Sequence, residues 1–276
     1  MDAGLLILAL SFYFLATFIW LGYLWVQLDI LHRYGGWIIG VGCVWHSLGL
    51  ARLTLEAGFF PVATLGGTLS LFSWALVAAF LLFNWRYPVK VLGALAAPLA
   101  ALMLCGALIL PRQADIPPLL QNFWLSFHIV AALLGNATFT IAFLGGILYL
   151  VQEHQIKSKK FGFFYKRLPS LETLDALNYY CINIGFPLLT LGIVTGSLYA
   201  QYALGAFWRW DPKETMTLIA WLLYAGLLHE RLAVGWRGRR AALLAIAGFV
   251  LLMITFVGAD FFQRSYHRFG GFGRLP

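Results

Sequence analysis

The residues whose types and spacing carry the most chemistry are Phe207-Trp208-Arg209-Trp210-Asp211-Pro212-Lys213-Glu214-Thr215, an aromatic and charged segment between two apolar runs. Two indoles and a phenyl ring offer flat, polarizable faces suited to a porphyrin, and Arg209 and Lys213 are spaced to meet its propionates at a water boundary. An interfacial aromatic belt uses the same residue types, because Trp and Tyr gather at headgroup level in most membrane proteins. A belt needs no fixed order of acid, proline, base and acid, so the run Trp-Asp-Pro-Lys-Glu favours a built haem platform. Asp211, Pro212 and Glu214 also read as a helix start, with a capping acid, a proline in the first turn and a second acid completing the cap. That structural role stands ahead of direct chemistry for these three.

Histidine is the ionisable type to follow, since burying charge at membrane depth is costly and marks functional candidates. His128 stands near the start of an apolar run, in Trp124-Leu125-Ser126-Phe127-His128, and His267 lies just beyond the last run. One imidazole from each side of the tryptophan segment is the natural way to hold haem iron in six-coordination, with the aromatic loop covering the ring. Each one singly reads equally well as a surface histidine at headgroup level; the pair with the loop between them favours ligation. His229, in Leu227-Leu228-His229-Glu230-Arg231, is balanced between an iron ligand at the other membrane face and a helix end that snorkels with Glu230 and Arg231. His46, in Val44-Trp45-His46-Ser47, falls mid-span, where an unpaired imidazole is costly. A helix–helix contact is the favoured reading there, ahead of a second inner ligand. His32 and His154 fall in connecting segments and carry no signal.

Over the whole chain, 61% of residues are hydrophobic, 11% are charged and mean hydropathy is +0.81. This is the composition of an all-α polytopic integral membrane protein. Eight runs, at roughly 4–28, 37–54, 64–84, 89–110, 123–152, 176–200, 216–233 and 241–260, are long enough to cross about 30 Å of hydrocarbon. Little chain remains for a soluble domain, so residues 1–276 read as one membrane domain with a tryptophan-rich haem loop at about 200–215. The first run has no basic flank and is too long for a signal sequence, and is expected to remain as a span. Alternate connections carry Lys and Arg unequally. Twelve fall on one side (Arg33, Arg86, Lys90, Lys157, Lys159, Lys160, Lys166, Arg167, Arg231, Arg237, Arg239, Arg240) and seven on the other (Arg52, Arg112, Arg209, Lys213, Arg264, Arg268, Arg274). The richer side is expected to be cytoplasmic, which puts both termini and the haem loop on the extracytoplasmic face. The pI of about 9.5 reflects this topology and a basic outer tail. No nucleic-acid partner is implied, because no folded domain is left to bind one.

Cys43, Cys105 and Cys181 are isolated in apolar runs and form no Cys-x-x-Cys pattern, which argues for packing and against thiol redox or covalent haem on this chain. Gly36 and Gly40 have small-xxx-small spacing, a weak signal for a helix interface. No P-loop, dinucleotide fingerprint or zinc-type cluster is present.

The tryptophan segment, followed by Ala220-Trp221-Leu222-Leu223-Tyr224 and Leu228-His229-Glu230-Arg231, resembles the signature of the polytopic haem-handling proteins of the system II cytochrome c maturation pathway, the CcsA or ResC type. A second similar stretch is Leu174-Asp175, Asn178, Ile184-Gly185-Phe186-Pro187-Leu188-Leu189-Thr190-Leu191-Gly192 and Thr195-Gly196. The resemblance implies that His128 and His267 are the two external haem ligands and that His229 takes part in haem passage from the cytoplasmic side. It also implies a membrane partner of the ResB type that supplies the inner counterpart ligand, which strengthens the packing reading of His46. The implied function is to move non-covalent haem b across the cytoplasmic membrane, or the thylakoid membrane if the chain is plastid-encoded. There it would present haem to the Cys-x-x-Cys-His thiols of an apocytochrome c, any ligation activity requiring the partner. Trp208, Trp210 and Trp221 would then stack on or edge the porphyrin. The chain departs from the family pattern at Arg264-Ser265-Tyr266-His267-Arg268-Phe269-Gly270, at Leu204 and Phe207 in the loop, and at Phe59. A di-haem b-type cytochrome using His46, His128, His229 and His267 as two pairs, a transporter gated by the aromatic loop, and a haem-handling paralogue not serving cytochrome c are the competing readings.

Overall fold

The computed structural model describes residues 3–60, 64–87, 89–110, 122–159, 162–163 and 165–258. Its helices are α1 (Gly4–Val26), α2 (Asp29–Ala57), α3 (Leu65–Arg86), α4 (Gly93–Ile109), α5 (Phe123–Lys157), α6 (Leu171–Leu204), α7 (Pro212–Ala233) and α8 (Arg239–Gly258). There is one for each apolar run, and no strand occurs among the described residues. Helices α1, α2, α3, α5 and α6 are long and apolar enough to cross a membrane, and α4 is a shorter apolar helix of 17 residues. The protein is a polytopic, all-helical membrane protein.

Helices outrun hydropathy at their ends, because backbone hydrogen bonds continue into polar sequence once a helix has nucleated. α6 extends to Leu204 and α7 already begins at Pro212, so the connecting loop is 205–211 and not the expected 200–215. For the same reason His32 and His154 lie on α2 and α5 and not in connections. His32 accepts the indole N–H of Trp20 at 3.3 Å.

The most extensive helix pair is α5 with α6. Lipid chains are as apolar as leucine, so helices in a membrane gain little from hydrophobicity and associate through close packing. The α6 face that meets α5 supplies that closeness by lacking side chains. A Cβ on Gly185 would lie 2.8 Å from the Phe139 ring, and one on Gly196 would lie 2.6 Å from the His128 ring. Between these, Gly135 of α5 approaches the backbone of Leu189 and Gly185. The pairings run in opposite order along the two chains, so the helices are antiparallel.

α7 and α8 complete this half of the bundle. The Tyr224 ring of α7 stacks on Phe139 of α5 at 3.8 Å with 8° between planes, and its hydroxyl donates to the Ala245 carbonyl of α8 at 3.4 Å. In the other half, α1 packs on α2 through Gly35, Gly42 and Gly49, which lie against Trp20, Tyr13 and Leu6. The Gly36–Gly40 pair singled out by spacing faces open space. The register of the interface is set by the glycines seven apart, one position out of phase with the sequence reading.

The end of the bundle that carries the α7 C-terminus is held by charge. Arg231 donates to both carboxylate oxygens of Asp175, at 3.1 and 2.7 Å, and the Gly238 amide donates to the same carboxylate at 2.7 Å. Both side chains are largely buried, at 10% and 14% exposure. Arg231 also lies over the Tyr179 ring, 4.3 Å from its centroid. Removing one member of a buried pair strands the other charge, whereas exposed pairs contribute little. Asp175→Ala is expected to lower unfolding stability in detergent by about 3 kcal/mol. Lys157→Ala, which removes an exposed partner of Glu153, serves as the mild control in the same thermal melts. Equal, small effects of the two substitutions would contradict this assignment.

Candidate functional site

The loop 205–211 is shaped from its downstream end. Asp211 is the N-cap of α7, Pro212 occupies the first helical position, and Glu214 completes a capping box. Asp211 Oδ1 accepts the Lys213 amide at 2.8 Å. A single carboxylate oxygen, Glu214 Oε2, accepts two amides, from Arg209 at 2.9 Å and from Asp211 at 3.2 Å. The residue between those two amides, Trp210, has φ of 57°, in the left-handed region that bulky residues avoid. Converging amides around a left-handed residue form an anion nest, and here the anion is built into the chain. The two acids and the proline of this order thus have a structural cause: they cap α7 and hold Trp210 outward. Trp210 is 70% exposed, and its ring meets Trp208 edge-on at 6.1 Å and 82°.

His128 is placed by α6. Its Nδ1 lies 2.6 Å from the Gly192 carbonyl, which also accepts the Thr195 hydroxyl at 3.3 Å. A carbonyl only accepts, so Nδ1 carries the proton, and in the neutral ring the lone pair is then on Nε2. This is the tautomer a metal-ligating imidazole needs, oriented by a backbone carbonyl as ligating histidines commonly are. The ring fits because Gly196 has no side chain beneath it.

The loop and His128 lie close in depth. Trp221 of α7 donates to Thr190 Oγ1 at 2.8 Å and stacks on Phe186 at 5.2 Å, and ten residues further on Arg231 meets Asp175 and Tyr179. α7 therefore runs antiparallel to α6. Extending this pairing back to Pro212, at equal rise per residue, brings the start of α7 level with about Tyr199 of α6. His128 rests on the preceding turn, against Gly192 and Gly196.

The remaining residues singled out by sequence fall in different places. Trp221 has its indole N–H and a ring face committed to α6, so it fixes α7 to α6 at this depth. Arg209 and Lys213 lend the loop their backbone amides. His229 is exposed on α7, near the opposite end of the bundle and away from His128. His46 is fully buried, and both ring nitrogens are engaged, with Tyr13 Oη at 3.1 Å and Ser70 Oγ at 3.0 Å. It ties α1, α2 and α3 together and has no nitrogen to spare for iron. His267 lies outside the described residues. The sequence reading missed the seat for His128: Gly192 and Gly196 stand four apart on α6, and this spacing, on the helix facing a histidine, was the available signal.

These features define a class: a polytopic helical membrane protein that holds an oriented imidazole and a clamped aromatic loop at one level of a four-helix group. The model of the family described as cytochrome C assembly protein matches residues 62–267. The chain is 32% identical over 271 residues to the cytochrome c biogenesis protein CcsA of Guillardia theta, which covers 91% of this chain and 90% of that protein. It is 35% identical over 227 residues to the protein so named in Chlamydomonas reinhardtii, covering 79% of this chain and 63% of that one. To the protein of that name in Microcystis aeruginosa the chain is 29% identical over 302 residues, with 92% of each covered. The chain belongs to the cytochrome c assembly protein family.

The seat makes a prediction. Gly196→Ala forces the His128 ring off its position, and the thermal midpoint of the purified protein in detergent is expected to fall. Gly226→Ala, at a position where nothing lies within 4 Å, is expected to leave it unchanged. An unchanged midpoint in Gly196→Ala would refute the seat.

Proposed function

We propose that this protein binds haem b non-covalently at the extracytoplasmic membrane surface and presents it for covalent attachment to apocytochrome c. The family supports a role in cytochrome c biogenesis. The observation that carries the finer reading is the His128 geometry, an imidazole whose Nδ1–H is held by the Gly192 carbonyl of α6 and whose ring rests over Gly196, near the depth of the tryptophan loop. His267 is the second axial ligand in this reading, and Trp208 and Trp210 cover the ring. The cargo's contribution is its two vinyl groups, across which the S–H bonds of the Cys-x-x-Cys-His thiols add to form thioethers.

The chain's own residues bind, orient and shield. His128 and His267 fix the ring plane, the clamped loop excludes water from one face, and holding the reacting groups in register lowers the entropic barrier to attachment. Exposed His229, on the positively charged face, suits a ligand completed from outside this chain, by a ResB-type membrane partner. The di-haem cytochrome reading needs His46 as a ligand, and its two hydrogen bonds leave it none of the required lone pairs without breaking α1–α3 packing.

The test is holocytochrome formation in cells that lack their own assembly pathway, expressing this chain, a ResB-type partner and an apocytochrome. Haem that stays with the cytochrome in denaturing gels is expected with wild type and is expected to fall at least tenfold with His128→Ala or His267→Ala. Undiminished attachment in both variants would overturn the proposal.

A further inference from the structure

Trp20, Trp74 and Trp221 donate their indole N–H groups to His32, Ser47 and Thr190. Trp208 differs, since its Nε1 is buried and has no hydrogen-bond partner. An indole nitrogen is a donor only, and an enclosed donor without an acceptor forfeits the hydrogen bond it made to water in the unfolded chain. The two carboxylates nearest in sequence serve backbone amides. Asp211 Oδ1 takes the Lys213 amide, and Glu214 Oε2 takes the amides of Arg209 and Asp211. The Trp208 indole is thus a buried side-chain donor left unpaired in the loop, and buried unpaired polar groups of this kind call for an explanation.

Axial ligation supplies a reason for such a donor. Two imidazoles set the plane of a haem but leave it free to rotate about the axis through the iron. Presenting vinyl groups to a thiol requires that rotation to be fixed, and the vinyl and propionate groups occupy different edges of the macrocycle. A contact that recognises a propionate therefore sets which edge faces out. Resting on the haem-presenting reading above, we propose that the Trp208 indole N–H is the donor that recognises a haem propionate carboxylate at the tryptophan loop, fixing the rotation of the macrocycle. Trp208 is thus a specificity-determining residue as well as a covering ring. The loop lies close to the level of His128, so one haem spans both. Trp210, in edge contact with the Trp208 ring and 70% exposed, is the neighbouring ring past which the carboxylate would enter.

The experiment titrates the purified full-length chain with iron protoporphyrin IX and with its dimethyl ester, which keeps the iron and the vinyls but removes the carboxylate charge. Wild type is expected to prefer the acid. Trp208→Phe is expected to weaken acid binding by roughly tenfold or more, as loss of a charge-assisted hydrogen bond does. It should weaken ester binding much less and leave the low-spin bands and thermal midpoint in place. Replacing Trp208 by 3-benzothienylalanine, which keeps the ring shape and removes the N–H, gives the same comparison if Trp208→Phe fails to fold. Equal weakening of acid and ester, or none, would overturn the proposal by reducing Trp208 to a stacking surface. Unchanged haem affinity with lost apocytochrome binding would overturn it in favour of a peptide carbonyl as the acceptor. Failure of wild type to bind either porphyrin would instead sink the haem-presenting reading itself.

Discussion

The site depends on how closely α5 can approach α6. Gly185 and Gly196 on α6 and Gly135 on α5 remove the side chains that would hold the two backbones apart, and the separation they permit is what lets the His128 imidazole lie on α6 and reach the Gly192 carbonyl. In a membrane this packing is the main attraction between helices. One feature thus stabilises the pair, fixes its register and selects the imidazole tautomer. The Phe139–Tyr224 stack then carries the same register to α7, and Trp221 sets the height at which α7 begins.

The loop follows a different logic. A short connection of 205–211 has too few residues to build a core of its own, so its shape comes from the helix it leads into. Capping satisfies the amides that the first turn of α7 leaves unpaired, and the Glu214 carboxylate reaches back far enough to bind two amides around Trp210. The left-handed conformation of Trp210 costs on the order of 1–3 kcal/mol, a cost borne by a structure that over-determines it. Its effect is to hold one indole exposed and another enclosed, within reach of the same depth as the imidazole.

Much of this was legible in the chain. All eight helices follow from apolar runs, because membrane spans must satisfy their backbones internally and helices do so. The capping role of Asp211, Pro212 and Glu214 could be read from residue type and order, since a cap is a local interaction. Non-local relations were harder. The spacing of Gly192 and Gly196 marks a close-packed face of α6, but only the fold shows that His128 fills it, and the Gly36–Gly40 spacing pointed to a face that meets nothing. His46 was narrowed to a contact by the cost of burying it, but its partners Tyr13 and Ser70 come from two other helices and only the fold names them. The loop bounds were too wide because hydropathy ends before helical hydrogen bonding does.

The central claim is that an imidazole oriented by α6 holds iron at the tryptophan loop. The direct measurement is the haem content and absorption spectrum of the purified protein, for wild type and His128→Ala, with and without added imidazole. One haem or fewer per chain, low-spin in wild type, lost in the variant and regained with imidazole, is the result this account requires. Two haems per chain, or a spectrum unchanged by His128→Ala, would contradict it.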